Sequence, residues 1–227
     1  MTPTSRRGRP ARIDRSTIVK AALEIGTQNL TMRQVAEHLG VSLPGLYHHV
    51  KNQDDLLRLV AHDALVESPP PRYAGQHWSA WLRTYATYIR TVLAAEPALL
   101  EQFISGAVHV DGEMEYIGEA LDALTSVGLT PEEAMTVWAA VSAMAIGSVS
   151  EAHREYLQAE KGQPWLARIF RLTARRPSSD YPALRAIAES GHDPFGDESF
   201  DRRITLLLTG IAVEYGLSMP DGTPAES

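Results

Sequence analysis

Apolar residues recur at helical spacing along almost the whole chain. Ile18, Ala21, Ala22 and Ile25 fall at i, i+3, i+4 and i+7, the stripe of an amphipathic helix. Asp14 stands where an N-cap belongs, and Ile13 and Ile18 flank it as a hydrophobic staple. The stripe stops near Gly26 to Asn29, among poor helix formers. Thr31 with Gln34 then reads as a capping box, with Leu30 and Val35 as its staple, and Gly40 as the stop of a helix of about eight residues. Ser42 caps a third short helix with Pro44 in its first turn, and Asn52 and Asp55 open a fourth carried by Leu56, Leu57, Val60, Ala61 and Ala64.

Pro69, Pro70 and Pro71 end that pattern, because they lack amide donors and push the preceding residue to extended angles. Beyond them the spacing predicts a long helix over Trp78–Ala95 and a short one over 97–105. A third covers Glu113–Val127, and another starts at Thr130-Pro131-Glu132-Glu133 and runs to about Leu157. Residues 158–182 are mixed, with Trp165–Leu172 helical, and the last helix covers about Glu198 to Gly216. No segment alternates with the period of two that a half-buried strand needs. The expected fold is all-α. It comprises an N-terminal three-helix unit before the proline segment and a larger helical body after it.

Length adds little: 227 residues allow one or two domains with a substantial core. Charge changes the picture more. Residues 1–51 hold eight Lys and Arg against three acids, a net +5, inside a chain of net −7; the rest carries −12. A basic head on an acidic body points to a polyanion partner for the head. Four arginines (Arg6, Arg7, Arg9 and Arg12) make residues 1–13 a basic flexible arm that either tracks a phosphate backbone or is an idle tail. The chain has no cysteine, which excludes disulfides, thiolate zinc sites and a Cys nucleophile. No secretory signal and no apolar run of membrane-spanning length are visible, so a cytoplasmic protein is expected.

The segment LTMRQVAEHLGVSLPGLYHHVKN, residues 30–52, carries the clearest chemistry. Two short helices joined at Gly40-Val41-Ser42 fit a helix-turn-helix, whose second helix enters the DNA major groove. Val35, Leu39, Leu46 and Val50 suffice for its small core. Leu43, Gly45, Tyr47, His48 and His49 then remain outside, a group better suited to phosphates and base edges than to water. Adjacent helical positions diverge, so His48 and His49 do not form a metal pair. Either imidazole, protonated beside a phosphate, would strengthen binding in acid. His109, Asp111, Glu113 and Glu115 read as an exposed acidic loop, and His153 with Glu151 and Glu155 as a solvated helix face. No metal or cofactor is expected. No nucleophile motif, metal triad or phosphate loop calls for catalysis, so an enzyme is not expected.

Residues 14–65 resemble the DNA-binding domain of the TetR family of transcriptional regulators. The match runs through Leu30-Thr31, Arg33, Ala36, Leu39-Gly40-Val41, Leu46-Tyr47, His49-Val50-Lys51-Asn52 and Leu56-Leu57. The later part is more loosely similar to the tetracycline repressor subgroup, at Trp78, Leu82, Gly128, Glu132, Ala134, Gly147 and the final helix. The resemblance implies a homodimer whose two heads bind a palindromic double-stranded operator and whose bodies bind a small-molecule effector. The expected organisation is the arm (1–13), the DNA-binding domain (14–66), a linker (67–76) and the ligand-binding and dimerisation domain (77–227). On that pattern Arg33, Ser42, Leu43, Pro44, Gly45, Tyr47, His48, His49 and Lys51 face DNA. Tyr47 and Lys51 hold phosphates, while Leu43, Gly45 and His48 sit nearer the bases.

Departures bear on specificity. Leu43, Gly45, His48 and Gln53 replace the subgroup's glutamine, threonine, tryptophan and lysine, so a different operator is expected. Pro69 and Tyr85 replace a ligand-contacting histidine and asparagine, and Ile104 replaces the metal-binding histidine. An aliphatic side chain offers a hard cation no ligand, so magnesium–tetracycline is not expected as effector. The implied pocket is largely apolar and involves Tyr85, Ile89, Phe103, Ile104, Trp138 and Ser142. The helices over 131–157 and 198–216 are the expected dimer interface. An activator, or a dimeric adaptor that binds only protein, remain the alternatives.

Overall fold

The computed structural model describes residues 13–27, 30–95, 100 and 113–220. Four helices come first: α1 (Arg15–Ile25), α2 (Met32–His38), α3 (Leu43–Tyr47) and α4 (Gln53–Glu67). Their ends are fixed by side chains the sequence names. The Thr17 amide donates to Asp14 Oδ1 at 2.8 Å, and this bond with the one from the Thr17 hydroxyl holds the Asp14 carboxyl below its ordinary range. The Asp55 amide donates to Asn52 Oδ1 at 2.8 Å at the start of α4. Ile18, Leu30, Val35, Leu46, Val50, Leu56 and Val60 close a core of their own, to which α4 contributes Leu56, Leu57 and Val60.

Six further helices follow: α5 (Trp78–Ala95), α6 (Glu113–Ser126), α7 (Pro131–Glu160), α8 (Trp165–Ala174), α9 (Pro182–Ser190) and α10 (Asp197–Tyr215). Apart from Leu100, the helix expected over 97–105 lies outside the described residues. Helix α7 outruns its expected end by three residues, and α9 was not expected at all. Its first turn opens with Pro182 after Tyr181, a non-glycine residue with left-handed backbone (φ 56°), and has no side-chain cap, so the proline alone marks its start.

Helices α5 and α7 pack along each other, and α6 and α10 close over them. Trp81, Leu82, Leu124, Val137, Val141, Ile204 and Leu208 form the second core. By length and composition α7 is sufficient to cross a membrane, although no long apolar run was expected. Its seven buried residues pack against neighbouring helices, and its start carries Thr130 and two acids, so we read it as a core helix. A small cluster of Ala61, Leu93, Leu100 and Val149 ties α4 to α5 and α7.

Candidate nucleic-acid interface and effector site

The helix-turn-helix is built from caps and one anchor. The Gln34 amide donates to Thr31 Oγ1 at 3.2 Å, and the Thr31 amide donates to Gln34 Oε1 at 2.8 Å, so the box is complete. Gly40 takes φ +66°, which L side chains rarely adopt, and the Val41 amide returns to the Ala36 carbonyl at 2.9 Å. Helix α3 has only five residues and one buried side chain, Leu46, which docks on Val35 and Val50. Its rigidity therefore comes from its cap. Ser42 Oγ accepts from the Gly45 amide at 3.2 Å, and a Cβ at Gly45 would lie 3.2 Å from that same oxygen. Gly45 thus leaves room for the cap.

All nine residues expected at DNA lie on α2, at the N-cap of α3, on α3 itself and in the turn after it. Ser42, Pro44, Tyr47, His48 and Lys51 are exposed, with 47% of Tyr47 accessible. Leu43, Gly45 and His49 are half-buried, and Leu43 packs on the core beneath. Arg33 is exposed, with Nε 2.9 Å from Glu37 Oε1. Two exposed partners one helical turn apart gain little from pairing, so this guanidinium is readily redirected to a phosphate. The Lys51 amide donates to Asp55 Oδ2 at 2.8 Å, which fixes the corner from which its ammonium projects.

Three of the residues expected around an effector, Tyr85, Trp138 and Ser142, meet at the α5–α7 contact. Tyr85 stacks on Trp138 with ring centres 4.2 Å apart, and its hydroxyl lies 3.2 Å from Ser142 Oγ. Trp81 and Tyr116 flank Trp138 at 6.1 and 5.6 Å. Ile89 is half-buried one turn further along α5, and Phe103 and Ile104 lie outside the described residues. The rings fill one another's space, and Tyr85 and Trp138 are buried. Beside them Arg72, Tyr73, Trp81, Tyr116, Glu119 and Asp122 border a cavity of about 340 Å³.

Sequence reasoning missed how this cluster holds the proline segment. Trp81 Nε1 donates to the Pro71 carbonyl at 2.8 Å, and the Tyr116 hydroxyl donates to the same oxygen at 2.9 Å. The Tyr88 hydroxyl donates to the Ser68 carbonyl at 2.7 Å, and Arg72 pairs with Glu119 at 2.7 Å. Burial, then the neighbouring Tyr85, pushes the Tyr88 phenol up to about 12. Burial raises Tyr116 further, aided by Tyr85 and Tyr88. The aromatic spacing at Trp78, Trp81, Tyr85 and Tyr88 was visible in sequence. Trp78, Trp81 and Tyr88 donate to backbone carbonyls, which leave no mark there.

A capped helix-turn-helix, followed by a helical body with an aromatic interior, defines a DNA-binding transcriptional regulator. Residues 17–60 match the family described as bacterial regulatory proteins, tetR family, and residues 70–215 match the tetracyclin repressor-like C-terminal domain. The chain belongs to the TetR family of transcriptional regulators. It is 28% identical over 217 residues to the class D tetracycline repressor protein of Escherichia coli, covering 90% of this chain and 91% of that one. It is 31% identical over 211 residues to an HTH-type transcriptional regulator of Saccharopolyspora erythraea, covering 88% and 85%. The fold is shared with the Streptomyces coelicolor TetR family protein ActR, solved in complex with actinorhodin. That match has a TM-score of 0.73 at 23% identity, over 91% of this chain and 98% of ActR. TetR from Acinetobacter baumannii AYE aligns with a TM-score of 0.63 at 27% identity, over 88% and 96%.

Proposed function

We propose that the chain is a cytoplasmic, homodimeric repressor that binds a palindromic operator and is released by a small, largely apolar effector. Residues 14–66 serve as the DNA-binding domain, 67–76 as the linker and 77–227 as the effector and dimerisation domain. The observation that carries ligand response is the double hydrogen bond from Trp81 and Tyr116 to Pro71. The same rings that stack around Trp138 hold the segment leading to the DNA-binding helices. A ligand that inserts between Trp138 and Tyr116 must move a donor, and so favours another position of the linker. Operator and effector then weaken each other equally, because coupling is one free energy shared by two sites.

The nine residues from Arg33 to Lys51 form the DNA face in this reading. Tyr85, Ile89, Phe103, Ile104, Trp138 and Ser142 surround the effector. Tyr85 and Ile104 stand where the tetracycline repressors hold polar or metal ligands, so magnesium–tetracycline is not the effector. The outer faces of α7 and α10 form the dimer seam, supported by exposed Met135, Leu206 and Val213 beside the small residues Ala139, Ala143, Gly147 and Gly210.

Selection of DNA from a random library by the purified chain, followed by titration at several salt concentrations, tests this reading. The expected result is an enriched palindrome bound with steep salt dependence. The selected complex then serves to screen apolar molecules for release. Weak binding without an enriched sequence would overturn the operator and favour the protein-binding adaptor.

A further inference from the structure

The C-terminal half of α7, the start of α8, the segment before α10 and Arg203 on α10 border a second, open cavity of about 630 Å³. Its lining is chemically different from the aromatic cluster. Three guanidiniums (Arg154, Arg168 and Arg203) face two carboxylates, Glu151 and Glu155. Both acids are already engaged. Glu151 Oε2 accepts from Arg203 Nη1 at 2.8 Å, and Glu155 Oε1 accepts the Trp165 amide at 2.6 Å, where α8 begins without a side-chain cap from Pro164. Among the described residues Arg154 and Arg168 have no acidic partner.

Arg203 has capacity left as well. Its Nη2 donates to the Pro194 carbonyl at 3.2 Å, while its Nε is buried and finds no acceptor among the described residues. A buried donor without an acceptor is costly, so this corner is one acceptor short. The apolar wall is Trp165 edge-to-face with Phe195, ring centres 6.0 Å apart. That wall is held from behind, because Arg90 Nη2 donates to the Phe195 carbonyl at 3.3 Å and pairs with Asp197 at 2.7 Å. A fixed flat wall beside surplus guanidiniums suits a ring that carries an oxyanion, and the volume lies in the usual range for small-molecule sites.

We propose that this cavity is a second small-molecule site, separate from the aromatic cluster, that takes an aromatic carboxylate. The ring lies against Trp165 and Phe195. The carboxylate accepts from Arg154 and Arg168.

Calorimetric titration of the full chain with 2-naphthoate, and with the uncharged 2-naphthamide, tests it. The expected result is saturable binding of the carboxylate at one per chain, with the amide at least about tenfold weaker, as the loss of charge-assisted hydrogen bonds predicts. Arg154→Gln with Arg168→Gln weakens naphthoate by about tenfold or more and leaves the amide unchanged. Both changes lie on exposed side chains without acidic partners, so an unaltered melting temperature is expected and verifies the fold. Equal affinity for acid and amide overturns the proposal. Unchanged naphthoate binding by the double variant does so too, since it moves the site elsewhere, as does the absence of saturable heat up to about 1 mM.

Discussion

The Tyr116 hydroxyl donates to the Pro71 carbonyl at 2.9 Å, across 45 residues of chain, and Trp81 Nε1 occupies the same oxygen at 2.8 Å. One acceptor thus joins the proline segment to α5 and α6 together. Tyr116→Phe keeps the ring against Trp138 and removes one of the two donors, while the carbonyl stays bonded through Trp81. A cost of about 1 kcal/mol is expected, a fall of about 2–4 °C in melting temperature for a chain of this size. Operator affinity should change little. Effector-induced release should become shallower, because the ring can move without breaking a bond to the linker. Release curves that overlay the parent's would separate Pro71 from the coupling.

Tyr88 predicts an alkaline weakness. Its phenol is raised from 10.0 to about 12, first by burial and then by Tyr85, so the fold favours the neutral form. That preference contributes stability fully present below about pH 10, where the unfolded phenol is also neutral. The contribution is lost as pH climbs through about 12. Tyr116 shifts in the same direction and adds to the loss. Urea midpoints measured from pH 8 upward should fall through this window. The decline should be shallower in Tyr88→Phe, which has no phenol to ionise.

Arg90 and Asp197 should behave very differently although they are partners. Asp197 is 94% exposed at its side chain and Arg90 only 14%. The ion pair itself is therefore mostly solvated, and Asp197→Asn should cost under about 1 kcal/mol. Arg90 also donates to the buried Ser148 hydroxyl at 2.6 Å and to the Phe195 carbonyl, and lies 4.8 Å from the Phe200 ring centre. Arg90→Ala removes these contacts together and leaves polar groups without a donor, so about 3 kcal/mol or more is expected. Equal losses in chemical denaturation of the two variants would contradict this ordering.

What the sequence disclosed follows from how local each signal is. Asp14, Thr31, Ser42 and Asn52 bond to amides three residues away, so their cap roles were legible without any tertiary knowledge. Helix α9 was not, because Tyr181 starts it in a left-handed conformation that no pattern of residue types announces. Tyr85, Trp138 and Ser142 were grouped through family resemblance, and they do meet. Their mutual stacking, and the engagement of Trp81 and Tyr116 by Pro71, depend on contacts between distant segments and on backbone acceptors. For the same reason Leu43, expected near the bases, was not foreseen as partly committed to the core beneath α3.

The proposed DNA face separates into side chains placed to bind and one that holds shape. Lys51→Gln should lower operator affinity and reduce the salt slope by about 1, as the loss of one phosphate contact predicts, with the melting temperature unchanged. His48→Ala should lower affinity in a sequence-dependent way if its ring lies at base edges. Gly45→Ala should act through the fold, because the new methyl meets Ser42 Oγ at 3.2 Å and loosens the cap of a five-residue helix. About 1 kcal/mol of destabilisation is expected, with affinity lost in parallel. Retained stability together with lost affinity would instead place Gly45 directly against the groove.

The proposed dimer seam is open to a direct test. Leu206 is 67% exposed and Val213 45%, two turns apart on α10, with exposed Gly210 between them. The opposite face of α10 carries Ile204, Leu208 and Ile211 into the core, so the helix is apolar on two sides. A solvated helix needs only one such side. A close two-fold approach at Gly210 would bury both exposed residues against a mate. Leu206→Glu places two like charges across that axis and should convert the dimer to a monomer in sedimentation at micromolar concentration. Because Leu206 lies outside the core, helical content should persist. Operator affinity should collapse with the dimer, since one head grips only one half-site. A variant that stays dimeric with full operator affinity would move the seam to another face of the body.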